Sequence, residues 1–445
     1  MRSHASMLVA GLALLASGPV AAEAPPAAPA AIDPATLDWP AQTASVEIKR
    51  AMHLSLWPGK KAPLAVKVEA GTRLGFTQVV EGTDRGKRAC KAWVELQPMG
   101  WACTTAVTPS LDPPGGTPLP VVAAGALTPD VYYRISQEGT PAYATVDDIS
   151  AGVIADELGD QVKFKLGKKV TVDGVAYVKT HRGYVEAAAI SKMSPSAWVG
   201  LDLRTAAPPA WPFAFVVPPR GERAAAVRAT PDRKAKISDA AAKRALVTVG
   251  VEQDGLVETD LGWIARTDLR VIRRQARPPG VAAGEPWIDV DLDEQTLVAY
   301  AGDTPVYATL ISTGKRKKTT PPASYRLRSK AASVRMAAEE WEARQYDIGE
   351  VPWAQRFAKG LYLHAAFWHD NFGNRQSAGC VNLSPKDARA LYEWTTPGMP
   401  PGVAEREIPL AQGMLIRIRD ADHPDPPAYD YRKERKAKYT ADDWR

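Results

Sequence analysis

Four proline-rich joints set the limits on how this chain can fold. They are Ala24-Pro-Pro-Ala-Ala-Pro-Ala30, Leu111-Asp-Pro-Pro-Gly-Gly-Thr-Pro-Leu-Pro120, Ala207-Pro-Pro-Ala-Trp-Pro212 with Pro218-Pro219, and Ala276-Arg-Pro-Pro-Gly-Val281. Proline fixes φ and lacks an N–H, so neither a helix nor a central strand continues through such a run. The chain has 445 residues, too many for one ordinary core, so the joints are expected to separate units. They mark three modules, over 41–110, 121–205 and 210–275, and a longer C-terminal domain over 285–420.

The three modules repeat one pattern. Each carries a glycine–aromatic step, then a short mixed run, then an apolar residue: Gly100-Trp101 before Val107, Gly183-Tyr184 before Ile190, and Gly262-Trp263 before Leu269. Alternating runs such as Val170–Lys179 and Leu246–Val257 precede the step and read as strands. Repetition at this scale argues for one small β unit used three times. The units resemble bacterial SH3-like barrels, which implies wall-facing spacers or readers of wall glycan or peptide. Trp101, Tyr184 and Trp263 are expected to fill the cores of these units, as large aromatics usually do.

The N-terminus reads as a secretory signal over 1–22. Arg2 supplies the positive end, Met7–Ala16 is a short apolar core and Val20-Ala21-Ala22 suits cleavage. The apolar run is too short for a comfortable membrane span. An Ala/Pro linker follows over 23–40. The mature protein is expected in the periplasm or cell envelope, as a monomer, with no integral membrane segment after cleavage. In such a compartment Cys90 and Cys103, at the ends of a hairpin over Ala92–Trp101, are disulfide candidates. Three buried thiols is the alternative. A disulfide there leaves Cys380 as the odd cysteine, to be flagged as a reactive thiol. The formal charge of +6 is small for this length and does not point to nucleic acid. A polar tail over 421–445 contains the basic run Arg432–Lys438.

The C-terminal domain reads as strand–turn–strand from Trp287 to Ser312, with Gly302-Asp303 at the turn, a short helix over Pro385–Trp394 capped by Ser384, and a closing strand over Gly413–Arg419. Within it His364 ends the apolar run Leu361-Tyr-Leu, and Cys380 follows the small-residue turn Ser377-Ala-Gly379. A thiol needs a base to act near neutral pH, and histidine is suited to that. A turn of small residues admits a substrate carbonyl to backbone N–H groups. His364 and His369 do not have zinc-protease spacing, and Cys380 has no Cys-x-x-Cys partner, so no metal and no cofactor are expected.

Ser312-Thr-Gly314, Thr320-Pro321 with Tyr325, Val351-Pro-Trp353, His364 and Ser377-Ala-Gly-Cys380-Val-Asn382, in that order, resemble the L,D-transpeptidase catalytic (YkuD-type) family. The resemblance implies a mainly β chain: three SH3-like β-barrel modules followed by a β-sandwich-type catalytic domain with a short helix. It also implies peptidoglycan stem peptides as donor and acceptor. Cys380 matches the nucleophile and His364 its histidine, held in a thiolate–imidazolium pair. Ser377 and Gly379 match the turn, and the Ala365 carbonyl matches the group that orients the imidazole. Tyr346 falls where some members carry a tyrosine near the oxyanion. His369, Trp368 and Asn382 are candidates for the substrate rim. Two positions depart from the pattern: Ala378 stands where a histidine is usual, and Ala365 where a glycine is usual. His369 is a candidate substitute for the missing histidine. The implied reaction joins stem peptides through a thioester on Cys380. The alternatives are an L,D-carboxypeptidase, a hydrolase cleaving cross-links, or a wall-binding scaffold with an inactive catalytic domain.

Overall fold

Two-residue turns organise much of the β structure. At Asp173-Gly174 both residues have positive φ (48° and 81°), and at Asp254-Gly255 likewise (53° and 72°). Tight hairpins favour this geometry, because it matches the right-handed twist of the flanking strands. The first turn joins Lys169–Val172 to Val175–Thr180, and the second joins Glu252–Gln253 to Leu256–Thr259. The computed structural model describes residues 29–86, 89–97, 100–206, 210–316, 319–338 and 345–434. The expected signal peptide, the start of the Ala/Pro linker and the end of the basic tail, 435–445, lie outside the described residues.

The repeated glycine–aromatic step has a common geometry. Gly100, Gly183 and Gly262 all sit at positive φ (144°, 122° and 123°), where a side chain would be strained. Each opens or precedes a strand that leads into a three-residue 3₁₀ turn, Thr104–Ala106, Ala187–Ala189 or Arg266–Asp268. Each turn leads into a further strand, starting at Val107, Ile190 or Leu269. Trp101 and Tyr184 are buried, whereas Trp263 is half-buried. Among the described residues these units form open sheets and no closed barrel. The sequence pattern marks strands but not where a sheet closes, so barrel closure did not follow from it. Cys90 and Cys103 are joined in a disulfide.

The first and second units are stitched into the C-terminal region by backbone pairing. We number the strands that matter here β1 (Leu64–Val68), β2 (Val162–Lys165), β3 (Ser329–Ala337), β4 (Asp347–Ala358), β5 (Leu361–Ala365), β6 (Val381–Leu383) and β7 (Val403–Glu407). One 14-stranded sheet contains the order β1–β7–β3–β4–β2, and β5 and β6 branch from β4. Thus β1 of the first unit pairs β7, and β2 of the second unit pairs β4 in parallel.

A second sheet faces this one. It contains Pro286–Asp291, Thr296–Ala301 and Thr304–Leu310 as an antiparallel meander, with Leu415–Arg419 parallel to the first of them. The run from Trp287 to Tyr300 is therefore two strands, not one. The turn between them is closed by the Asp291 carboxylate, which accepts the N–H groups of Asp293 and Glu294 at 3.0 Å each, with Gln295 at φ 52°. Ile288, Val290 and Leu297 of this sheet share a core with Phe357, Leu363, Val381 and Leu383 of the first. Leu391 and Tyr392 of the helix Pro385–Trp394 complete that core.

The helix starts as its residues dictate. The Ser384 hydroxyl accepts the Asp387 N–H (3.1 Å), and proline occupies the first helical position. Buried Asp387 accepts from the Tyr307 hydroxyl (2.6 Å), the Thr309 hydroxyl (2.5 Å) and the Gly200 N–H (2.8 Å). It therefore ties the chain leaving the second unit to the sandwich.

Candidate active site

His364 is placed by β5, whose apolar neighbours Leu363 and Ala365 are fully buried. The imidazole is itself 2% exposed. Its Nδ1 lies 3.1 Å from the Ala365 carbonyl oxygen, which can only accept, so Nδ1 carries the proton and Nε2 presents a lone pair. Burial pulls the pKa of His364 down to about 4, against a smaller opposing effect of that hydrogen bond. The ring is therefore neutral at neutral pH. This environment disfavours the imidazolium form of His364 that the expected thiolate–imidazolium pair requires.

Cys380 ends a turn that is closed by side-chain hydroxyls. The Ser377 Oγ accepts the Gly379 N–H (3.1 Å) and donates to the Cys380 carbonyl (2.6 Å). The Thr320 hydroxyl donates to the Gly379 carbonyl (2.6 Å) and accepts the Gly314 N–H (2.9 Å). Ser377 also receives the Lys315 N–H on its carbonyl (2.9 Å). A Cβ on Gly379 would stand 2.7 Å from the Thr319 carbonyl oxygen, so the turn admits only glycine without movement. The Gly379 N–H is used inside the turn and is not aimed at a ligand. Cys380 stays outside the disulfide, is half-exposed, and its Sγ lies 3.5 Å from the Gly360 carbonyl oxygen.

The two side chains converge. β5 and β6 are parallel with His364 opposite Asn382. Cys380 immediately precedes β6, one residue before the strand that carries Asn382. His364, Cys380, Asn382, Ser377, Tyr346 and Trp368 line one cavity of about 70 Å³. Trp368 stacks on His364 with ring centres 5.7 Å apart.

His369 is not among the residues lining the cavity. Its Nδ1 accepts the Asn371 N–H (3.2 Å), its Nε2 meets the Asn382 amide at 3.0 Å, and its ring packs on Phe372. It backs Asn382 from behind and does not fill the place left by Ala378, which is exposed. The sequence reading missed Lys163, Met336, Ile348 and Gln376, which also line the cavity. Lys163, Met336 and Ile348 lie on strands whose pairing no local pattern carries, whereas Gln376 directly precedes Ser377 in the loop. Among the described residues no cluster of side chains is arranged to hold a metal ion.

The second and third N-terminal units brace the site from two sides. On β4, Asp347 receives His181 (2.9 Å) and Arg182 (2.9 Å) from the second unit and Arg335 from β3 (2.8 and 2.7 Å). Tyr132 of the second unit stacks on Phe367 with centroids 3.7 Å apart. From the third unit Arg244 and Lys243 pair with Asp370, and Arg270 donates to the Gly373 carbonyl (2.6 Å). The loop between His364 and Ser377 is thus pinned at both ends.

Residues 285–403 match the model of the L,D-transpeptidase catalytic domain, YkuD. No curated protein matches this chain. Among solved structures, a mutant L,D-transpeptidase of Enterococcus faecium is 18% identical over 34% of this chain and 55% of that one, with a TM-score of 0.26. An L,D-transpeptidase of Stackebrandtia nassauensis is 23% identical over 31% and 57%, with a TM-score of 0.23. One from Mycobacterium smegmatis is 16% identical over 57% and 99%, with a TM-score of 0.25. The chain spans about half the length of the first two.

Proposed function

We propose that this protein is a peptidoglycan L,D-transpeptidase of the cell envelope that joins stem peptides through an acyl-enzyme on Cys380. The observation that carries the reading is that His364 and Cys380 line one cavity inside a segment matching the L,D-transpeptidase catalytic domain. The N-terminal β units, SH3-like in their sequence pattern, are read as wall-facing parts of a monomer that frame the site.

The chemistry follows from the tautomer. Nε2 of neutral His364 takes the thiol proton as Sγ attacks the carbonyl carbon of the third residue of a donor stem peptide. The oxyanion is received by the Cys380 N–H, with the Tyr346 hydroxyl as second donor. Collapse breaks the peptide bond, the imidazolium returns its proton to the departing amine of the terminal D-alanine, and a thioester remains. An amine of a second stem then attacks the thioester, His364 takes its proton and passes it to the sulfur, and the thiol is restored. Trp368 stacks on the imidazole, and Ser377 holds the turn.

The test is incubation of the full chain with defined tetrapeptide muropeptides and identification of the products by mass. Dimers lacking one terminal D-alanine are expected, and none with Cys380→Ala. Tripeptide alone identifies an L,D-carboxypeptidase. No turnover by the wild-type chain overturns the enzymatic reading and leaves the wall-binding scaffold.

A further inference from the structure

A residue of the second N-terminal unit enters the cavity of the nucleophile. Lys163 is the parallel register partner of Ile348, and partners in adjacent strands direct their side chains to the same face. Both line the cavity that holds Cys380 and His364. The Lys163 Nζ is steadied by the Asp160 carbonyl at 2.9 Å and the Gln161 carbonyl at 3.5 Å. The strand that carries it is locked to β4 beside the cavity by the Asp347 clamp, one residue from both Tyr346 and Ile348.

The charge lining the cavity has one sign. Among the described residues lining the cavity there is a lysine and no carboxylate. On the other side of the turn Lys315 and Arg316 are exposed, and the Lys315 N–H is bonded to the Ser377 carbonyl. A group arriving at Cys380 through this cavity therefore meets the Lys163 side chain. This arrangement attracts an anion and repels an amine that is still protonated.

We propose that Lys163 is a specificity-determining residue that pairs with a carboxylate of the peptide substrate in the Cys380 cavity. This rests on the acyl-transfer reading above. It makes the second N-terminal unit part of the substrate site and not a spacer. A peptide with a free C-terminal carboxylate next to the scissile bond is then preferred over the same peptide amidated at that end.

The first test does not depend on turnover. Full-length wild type, Lys163→Gln, Lys163→Arg and Lys163→Glu are alkylated at Cys380 with anionic iodoacetate or neutral iodoacetamide, followed by intact mass. The iodoacetate rate, normalised to iodoacetamide, is expected to fall about threefold or more in Lys163→Gln and further in Lys163→Glu. Lys163→Arg is expected to retain it, and added salt to shrink the differences. A ratio that stays the same in all variants overturns the proposal. The second test compares a tetrapeptide donor with its C-terminal amide. Lys163→Gln is expected to raise KM for the acid more than for the amide, with Lys163→Arg close to wild type. If wild type turns over both peptides and Lys163→Gln keeps the wild-type acid-to-amide ratio, the carboxylate assignment is wrong while the transpeptidase reading survives. If alkylation responds to charge but no peptide is turned over by wild type, the transpeptidase reading fails and the anion-selecting cavity remains.

Discussion

His364 and Asn382 sit directly opposite each other in the parallel pair β5–β6, and both face the cavity that contains Cys380. A parallel pair holds these positions through backbone hydrogen bonds, so His364 and the strand that follows Cys380 move as one body. His364 and Asn382 are thus held on a sheet, and Cys380 sits at the end of the hydrogen-bonded turn that leads into it.

The buried imidazole gives the first prediction. His364 has a folded pKa of about 4 against about 6.5 in an unfolded chain. Between those values the unfolded chain binds a proton that the folded chain does not. Stability therefore rises with pH through this window and is lost as pH falls from 6.5 toward 4, by about 3 kcal/mol in all. His364→Gln is expected to remove that component, so the wild-type and variant urea curves should converge or cross between pH 7 and pH 4. The neutral base also persists into acid, so the acid limb of kcat/KM should lie nearer pH 4 than pH 6.5. A limb near 6.5 would contradict the desolvated imidazole.

The turn before the thiol gives the second. Ser377→Ala removes one accepted and one donated hydrogen bond, which is worth about 1–2 kcal/mol locally. Because the bonded groups are the Gly379 N–H and the Cys380 carbonyl, Cys380 acylation is expected to slow by more than tenfold, with a loss of stability of about 1–2 kcal/mol at most. Ser377→Thr, which keeps the hydroxyl, should restore most of the rate. Gly379→Ala places a methyl against the Thr319 carbonyl and the Leu361 side chain. Such overpacking costs about 1–3 kcal/mol, read as a lower thermal midpoint together with lost acylation.

What the sequence made legible divides along the distance between partners. The helix over Pro385–Trp394 was written in Ser384 and Pro385, which act within one turn of the chain. The repeated glycine–aromatic step was visible because each copy is local. Cys380 and His364 stood out by residue type and order, and the Ala365 carbonyl lies 3.1 Å from the imidazole Nδ1. The pairing of β2 with β4 and of β1 with β7 was not legible, since alternation marks a strand without naming its neighbour. Lys163 was missed for the same reason. The turn at Asp291–Thr296 was missed because its signal is an Asp side chain capping its own backbone, with no glycine or proline to mark it.

A buried lysine on β3 gives the third prediction. Lys330 is fully buried, donates to the Tyr392 carbonyl (2.6 Å) and the Thr395 carbonyl (3.0 Å), and lies over the Tyr392 ring. Burial, with Arg406 adding to it, lowers its pKa to about 7 from about 10.4 when unfolded. From pH 7 to about 10 the unfolded chain holds the extra proton, so this residue makes the fold more stable as pH rises. Lys330→Met is expected to flatten that gain, by about 2–4 kcal/mol between pH 7 and pH 10, as the difference between two chemical denaturation series. An identical slope in both proteins would mean that the ammonium is charged at neutral pH despite its burial.

The Asp347 clamp gives the fourth, and it separates a framing unit from a passive one. Burial by itself raises this carboxyl, but hydrogen bonds from His181, Arg335 and Arg182 outweigh it and hold the pKa well below the usual carboxylate range. The stability it supplies is present above about pH 4 and lost only as pH falls further, through the depressed folded value. Asp347→Asn leaves Arg182 and Arg335 facing each other without the balancing charge, at a cost of about 2–3 kcal/mol. The gap between wild type and variant should be constant from neutral pH down to about 4 and narrow below it. If the second unit frames the catalytic cavity, the same variant should speed hydrogen exchange at Val162–Lys165 and lower the iodoacetate-to-iodoacetamide ratio at Cys380 toward that of Lys163→Gln. A variant that loses stability yet keeps the wild-type ratio would show that the clamp holds two units together without shaping the cavity between them.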